Sequence, residues 1–309
     1  MKKALVIRVG SLGDIVLTFP VLQSFKNNGY SVDLVTRGSL LRSLVLLGVV
    51  NNGIAFDSQE MSDLFKKQPE NPARWASLLA KYDYILSYFS EDEVFSQNIL
   101  RFAPVMPKFF GVSPEILTDH ASQYLLQPLI NDGFRIARIF RFPELFRERN
   151  SKFFIHPGSG SHEKNWPFEN FLFFAKEISK TGIEVSIILG ECEENNRELW
   201  LREFGDGSVI SSAPIEKIVH LFLSGKWYLG NDSGITHLAA ACGLMTYAVF
   251  GPTDPAIWAP VGNNVRIFRS TSCPPCGSGR SKCAHHRKCL QDIDAKGIIK
   301  EVLKDISAV

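Results

Sequence analysis

The stretch that most restricts the fold is Tyr228-Leu229-Gly230-Asn231-Asp232-Ser233-Gly234-Ile235-Thr236-His237. The short apolar run 226–229 reads as a buried strand that stops at Gly230. Asn231, Asp232 and Ser233 are all residue types that cap helix starts, and 235–242 then reads as a small-residue helix closed by Gly243. Residues 245–250 read as the next strand, followed by Gly251-Pro252-Thr253-Asp254-Pro255. Strand, polar turn, helix and strand make half of a parallel α/β unit. Ligands of open α/β sheets bind at the carboxyl ends of strands, where free helix-start amides suit phosphate. His237 lies four residues after Ser233, so one helical face carries both. Two readings of Asp232 and His237 stay open at this point: ligand-binding groups, or a helix cap and a satisfied interior histidine.

The same punctuation recurs along the chain. The apolar run 4–9 leads into Gly10-Ser11-Leu12-Gly13-Asp14 and then a helix over 15–22 that contains Pro20. Gly10 and Gly13 allow a tight turn, but the pattern lacks the third glycine of the dinucleotide fingerprint. Asp14 is a ligand-facing carboxylate or a first-turn acid favoured by the helix dipole. Residues 32–36 and 82–89 read as strands, 40–50 as a core helix or helix-strand pair, 92–107 as loops shaping a substrate site, and 119–130 as a helix. Arg135, Arg138, Arg141, Arg147 and Arg149, spaced among phenylalanines, mark a solvated linker over 131–151. A second domain opens with a strand at 152–155 and the turn His156-Pro157-Gly158-Ser159-Gly160-Ser161-His162-Glu163-Lys164-Asn165-Trp166-Pro167. Phe168, Phe171, Leu172, Ala175 and Ile178 repeat at helical spacing and are core. Residues 183–189 form another strand. Alternating strands and helices in both halves give an α/β chain of two doubly wound domains, 1–140 and 151–290, with 291–309 as a last helix.

Charge narrows the function. The chain has 34 Lys and Arg against 32 Asp and Glu, a net +2, too little for a nucleic-acid binder. Arg8 and Asp14 interrupt the only stretch resembling a signal peptide, and no apolar run reaches the roughly 18 residues of a membrane span. The expected location is cytoplasmic.

Gly-Ser-Leu-Gly-Asp at 10–14, His-Pro-Gly-Ser at 156–159, Lys-Asn-Trp-Pro at 164–167, Asn-Asp-Ser-Gly-Ile-Thr-His at 231–237 and Gly-Pro-Thr-Asp-Pro at 251–255 together resemble the lipopolysaccharide heptosyltransferases, glycosyltransferase family nine. The resemblance covers residues 3–305 and is weakest over 50–130. It implies a GT-B fold, two Rossmann-like domains facing across a cleft, with an acceptor-binding first domain and a donor-binding second. It also implies that the last helix packs back on the first domain. By the same resemblance Asp14 is the catalytic carboxylate and Lys164 the phosphate-contacting lysine. Ser233, Gly234, Thr236 and His237 form the diphosphate clamp, with Asp232 near the donor sugar. Ser11 and Ser159 fall near hydroxyls that contact donor phosphates, and Glu194 where a glutamate reaches the ribose. The implied reaction is inverting transfer of heptose from ADP-heptose to the lipid A–core oligosaccharide, with peripheral contact at the inner face of the cytoplasmic membrane. No metal is needed for that chemistry, since lysine and helix dipole can replace a divalent ion. The competing readings are a transferase or epimerase using another nucleotide sugar, and a non-catalytic nucleotide-sugar-binding protein.

Four of six cysteines cluster as Cys273, Cys276, Cys283 and Cys289, with His285 and His286 inside the run. In a cytosolic chain this pattern reads either as a structural zinc loop or as free thiols or a labile disulfide.

Overall fold

The structure, a computed structural model, describes residues 1–112, 118–140, 142, 149–190, 193, 196–277, 283 and 287–307. It divides into two units, Met1–Pro143 and Glu144–Val309.

The first unit carries β1 (Lys2–Ile7), β2 (Tyr30–Thr36), β3 (Asn52–Ala55), β4 (Tyr84–Ser87) and β5 (Lys108–Phe109). They form a parallel sheet in the order β3-β2-β1-β4-β5. Chain order reverses between β1 and β4, so the loops leaving their carboxyl ends diverge to opposite faces and leave a crevice there. The helix expected over 15–22 is in fact two, Leu12–Leu17 and Phe19–Asn27, meeting at Thr18. Pro20 has no N–H for the preceding turn and settles in the first turn of the new helix, where none is needed. Residues 92–107, expected as loops, contain the helix Val94–Phe102. Its buried Phe95 and Ile99 lie four apart and pack with Trp75 and Leu79. Only those positions and Phe102 are bulky and inward, which left the helical period too sparse to see in the sequence.

The second unit carries β6 (Lys152–His156), β7 (Glu184–Leu189), β8 (Val209–Ser211), β9 (Trp227–Asn231), β10 (Met245–Phe250) and β11 (Val265–Arg269). All neighbours in the order β11-β10-β9-β6-β7-β8 are parallel. The reversal here lies between β6 and β9, the strands whose exits are the turns 156–167 and 230–237. Of the expected stripe, Phe171, Ala175 and Ile178 of the helix Phe168–Ser179 are buried, joined by Phe174, with Phe153, Ile155, Val185 and Ile187 of the sheet, while Phe168 and Leu172 are half-buried against the same core.

The last helix, Ala295–Ser307, starts where the Asp294 carboxylate accepts from the amides of Lys296 and Gly297, both at 3.0 Å. Ile298, Ile299 and Val302 are buried in the second unit's own core beside the helix Phe168–Ser179. The Asp305 carboxylate accepts from Tyr247 Oη of β10 at 2.8 Å. Three consecutive turns of apolar side chains find their complement in the phenylalanine helix.

Candidate active site

The exit of β9 is built by close packing. A Cβ on Gly230 would lie 2.3 Å from the Tyr228 hydroxyl and 3.0 Å from Thr236 Oγ1, so only glycine lets the strand end meet the following helix. Asn231 is fully buried and ties two turns together. Its Nδ2 donates to the carbonyls of Pro157 at 2.7 Å and Gly158 at 3.3 Å, and its Oδ1 accepts from the Trp166 amide at 2.9 Å. Of the three capping candidates, Ser233 is the one that caps the helix Gly234–Ala241, its Oγ accepting from the Thr236 amide. Thr236 Oγ1 donates back to the Asn231 carbonyl at 2.5 Å and lies 3.0 Å from Tyr228 Oη.

Asp232 is 6% exposed, and its carboxylate is the hub of the site. Oδ2 accepts from Lys164 Nζ at 2.8 Å and from Thr253 Oγ1 at 2.7 Å, and Oδ1 lies 3.9 Å from His237 Nε2. A buried carboxylate is costly to desolvate unless it is paired and hydrogen-bonded, and here two different turns supply its donors. An ammonium carries three N–H donors. The ion pair uses one and leaves two for a ligand, and Asp232 directly precedes Ser233, the cap of a helix start, where amides favour an anion.

The turn after β6 lies against this hub. Lys164 closes the one-turn 3-10 helix His162–Lys164. Ser159, expected at the donor phosphates, has its hydroxyl engaged within the turn, 2.6 Å from Asn165 Oδ1 and 2.7 Å from the Ser161 carbonyl. His156 is buried with Nδ1 2.9 Å from the Ile188 carbonyl, which requires that nitrogen to carry the proton. Burial pushes the imidazole's pKa down, against the opposing pull of that carbonyl and of the Glu193 carboxylate.

Glu194 lies outside the described residues. Its neighbour Glu193, which sequence reasoning passed over, is 8% exposed and accepts from the Gly190 amide at 2.8 Å. A Cβ on Gly158 would fall 2.0 Å from its Cδ, so glycine at 158 is what makes room for this carboxylate. The one signal available was its place three residues after Gly190, the spacing at which a side chain folds back on a strand exit. A cavity of about 370 Å³ opens here, lined among others by Pro157, Asn165, Trp166, Glu193, Asn196 and Arg287.

In the first unit, Asp14 lies in the helix after β1. Its Oδ2 accepts from the amide and the hydroxyl of Ser11, both at 2.8 Å, and its Oδ1 from Arg8 Nη2 at 3.1 Å. A Cβ on Gly10 would lie 2.7 Å from the Asp14 side chain, so this glycine lets the carboxylate fold back over its own turn. The Asp14 side chain is 30% exposed, open enough for a substrate hydroxyl. Ser11, expected at a donor phosphate, holds the carboxylate.

The cysteine run reaches two of the turns just described. Cys289 is buried and Cys273 packs beside it, while Cys276 is exposed. Burial, and then the neighbouring Cys273, Cys283 and Cys276, push the Cys289 thiol up. Among the described residues no disulfide joins Cys273, Cys276, Cys283 or Cys289, and no group of three or more His, Cys, Asp or Glu is arranged to hold a metal ion. His285 and His286 lie outside the described residues. The amides of Cys276 and Gly277 both donate to the Pro252 carbonyl, at 2.9 and 3.1 Å, and Arg287 Nη1 donates to the His162 carbonyl at 3.0 Å. The run thereby braces the loops that present Thr253 and Lys164.

Residues 129–286 match the family model described as "Glycosyltransferase family 9 (heptosyltransferase)". The chain is similar to lipopolysaccharide heptosyltransferase 1 of Escherichia coli K12, 27% identical over 118 residues, which are 38% of this chain and 37% of that one. The matched stretch thus spans little more than a third of that relative. Lipooligosaccharide heptosyltransferase 2 of Campylobacter jejuni serotype O:6 is 21% identical over 311 residues, 95% of this chain and 96% of its own. The solved structure of E. coli ADP-heptose LPS heptosyltransferase II shares the fold, with a TM-score of 0.74 at 17% identity over 98% of each chain.

Proposed function

The chain belongs to glycosyltransferase family 9, and from that premise we propose that it is an inverting transferase moving heptose from ADP-heptose to the lipopolysaccharide inner core. The observation that carries the reading is the Lys164–Asp232–Thr253 group beside the start of the helix Gly234–Ala241. A diphosphate is the ligand such a group suits. Its cation is fixed by a buried acid, so little reorganisation is needed as negative charge grows on a departing phosphate. The cavity beside Glu193 has the volume of a small-ligand site, and we assign it to the nucleoside.

The first unit supplies the base. The acceptor hydroxyl attacks the anomeric carbon, its proton passes to the Asp14 carboxylate, and the bond from that carbon to the phosphate oxygen breaks. ADP leaves against the Lys164 ammonium and the helix-start amides, and the single displacement inverts the anomeric centre. We assign Ser233, Gly234, Thr236 and His237 to the diphosphate side, with Asp232 holding Lys164. The acceptor is lipid-linked, and no described helix is long and apolar enough to cross a membrane. Contact with the cytoplasmic face of the membrane is therefore proposed as peripheral.

Two measurements test the assignment. Ligands that bind only the folded state raise its melting temperature, so ADP is expected to shift it while UDP and GDP at equal concentration do not. A larger shift with UDP or GDP would remove the donor assignment. Because Lys164 and the helix start supply positive charge, turnover is expected to survive dialysis against EDTA. Abolition by EDTA with rescue by magnesium would contradict that division of labour.

A further inference from the structure

Arg8 follows β1 and is 9% exposed, an unusual place for a guanidinium unless something holds it. Its backbone amide donates to the Val35 carbonyl at 3.1 Å, continuing the ladder to β2, so the residue's position is fixed by the sheet. Its guanidinium lies over the Tyr88 ring, 5.8 Å from the centroid, and Tyr88 Oη is held by the Leu125 carbonyl at 2.6 Å. Its Nη2 meets Asp14 Oδ1 at 3.1 Å. Arg8 Nε is buried with no hydrogen-bond partner. A buried unpaired N–H costs stability, so a residue chosen for stability alone would be apolar here.

The bonds to Asp14 make its two oxygens unequal. A carboxylate offers about four lone-pair directions. Two on Oδ2 are taken by the amide and hydroxyl of Ser11, and one on Oδ1 by Arg8. The direction left over is on Oδ1.

We propose that Arg8 is the positioning residue of the transfer: it fixes the Asp14 carboxylate so that the remaining lone pair of Oδ1 receives the acceptor proton. The inference rests on Asp14 being the base, as proposed above. The charged and titratable groups recorded against the Arg8 guanidinium are Asp14 and Tyr88, and burial holds Tyr88 as the neutral phenol. Loss of the guanidinium fork should therefore cost turnover and leave donor binding intact.

The test compares kcat and donor KM for the wild type, Arg8→Gln and Arg8→Lys. Arg8→Gln should lower kcat, with donor KM within about twofold of wild type. Arg8→Lys should recover kcat only in part, because the charge is kept while the fork geometry is lost. Wild-type kcat in Arg8→Gln, or a donor KM that rises in step with the loss of kcat, would overturn the proposal. If Arg8→Gln does not fold, Arg8→Lys carries the test: lowered kcat with unchanged donor KM supports it, and wild-type kcat overturns it. A cycle with Asp14→Asn separates this inference from the reading beneath it. In the Asp14→Asn background, Arg8→Lys should cost nothing further, whereas multiplying losses would mean that Arg8 acts elsewhere. Near-normal turnover by Asp14→Asn alone would instead remove the base assignment.

Discussion

Lys164 and Asp232 form a pair in which structure and chemistry have opposite demands. Lys164→Met leaves the Asp232 carboxylate buried with Thr253 as its remaining recorded donor, and breaking such a pair destabilises by about 3–5 kcal/mol. The same substitution removes the charge facing the leaving group, and kcat should fall on the order of 10²–10³-fold. The double variant Lys164→Met/Asp232→Asn separates the two effects. Neutralising the orphaned acid should restore most of the melting temperature and none of the turnover. Recovery of turnover in the double variant would show that Lys164 serves only the fold. Asp14, Lys164 and Asp232 were picked out in the sequence as charged residues of glycine-containing strand exits within the motifs that carry the resemblance. Asn231, Thr253 and Glu193 were not, since their roles come from partners 21 to 74 positions away or from the space left by a missing Cβ. Asn231 in particular reads locally as a cap and acts as a brace between two turns.

At the scale of elements, strands with uninterrupted apolar runs were read to within a residue or two. β10 is found at Met245–Phe250, as expected, and β9 extends two residues past the expected end because Gly230 and Asn231 continue the ladder with β6 and β10. The two-residue β5 and the three-residue β8 are too short to carry a period. The apolar stripe of the last helix announces a buried face in the sequence but not the second-unit core that covers it. The end of β6 also sets a pH dependence. The imidazole of His156 is held neutral in the folded protein and protonates freely once unfolded. A depressed folded pKa contributes stability above the unfolded value of about 6.5, and that contribution is lost as pH falls below it. The urea midpoint of the wild type should therefore drop between pH 7.5 and pH 5 by more than that of His156→Gln. Equal drops in the two proteins would assign the acid sensitivity to other groups.

At the scale of the whole molecule, two sheets of the same winding place different charged groups at equivalent turns. In each, the informative turn leaves the strand beside the reversal of chain order: β1 carries Ser11 and Asp14, while β6 and β9 carry Lys164 and Asp232. That repeated geometry is why five short motifs sufficed to indicate both fold and family, although the relatives cited are at most 27% identical. The most direct test of the account is heptose transfer from ADP-heptose to an inner-core acceptor, measured for the wild type and Asp14→Asn with ADP binding followed in parallel. The wild type should transfer heptose with inversion. The variant should bind ADP as tightly as the wild type and lose about 10²–10⁴-fold in turnover, the contribution of a positioned base. Near-normal transfer by a folded Asp14→Asn protein, or no transfer from ADP-heptose by the wild type, would contradict it.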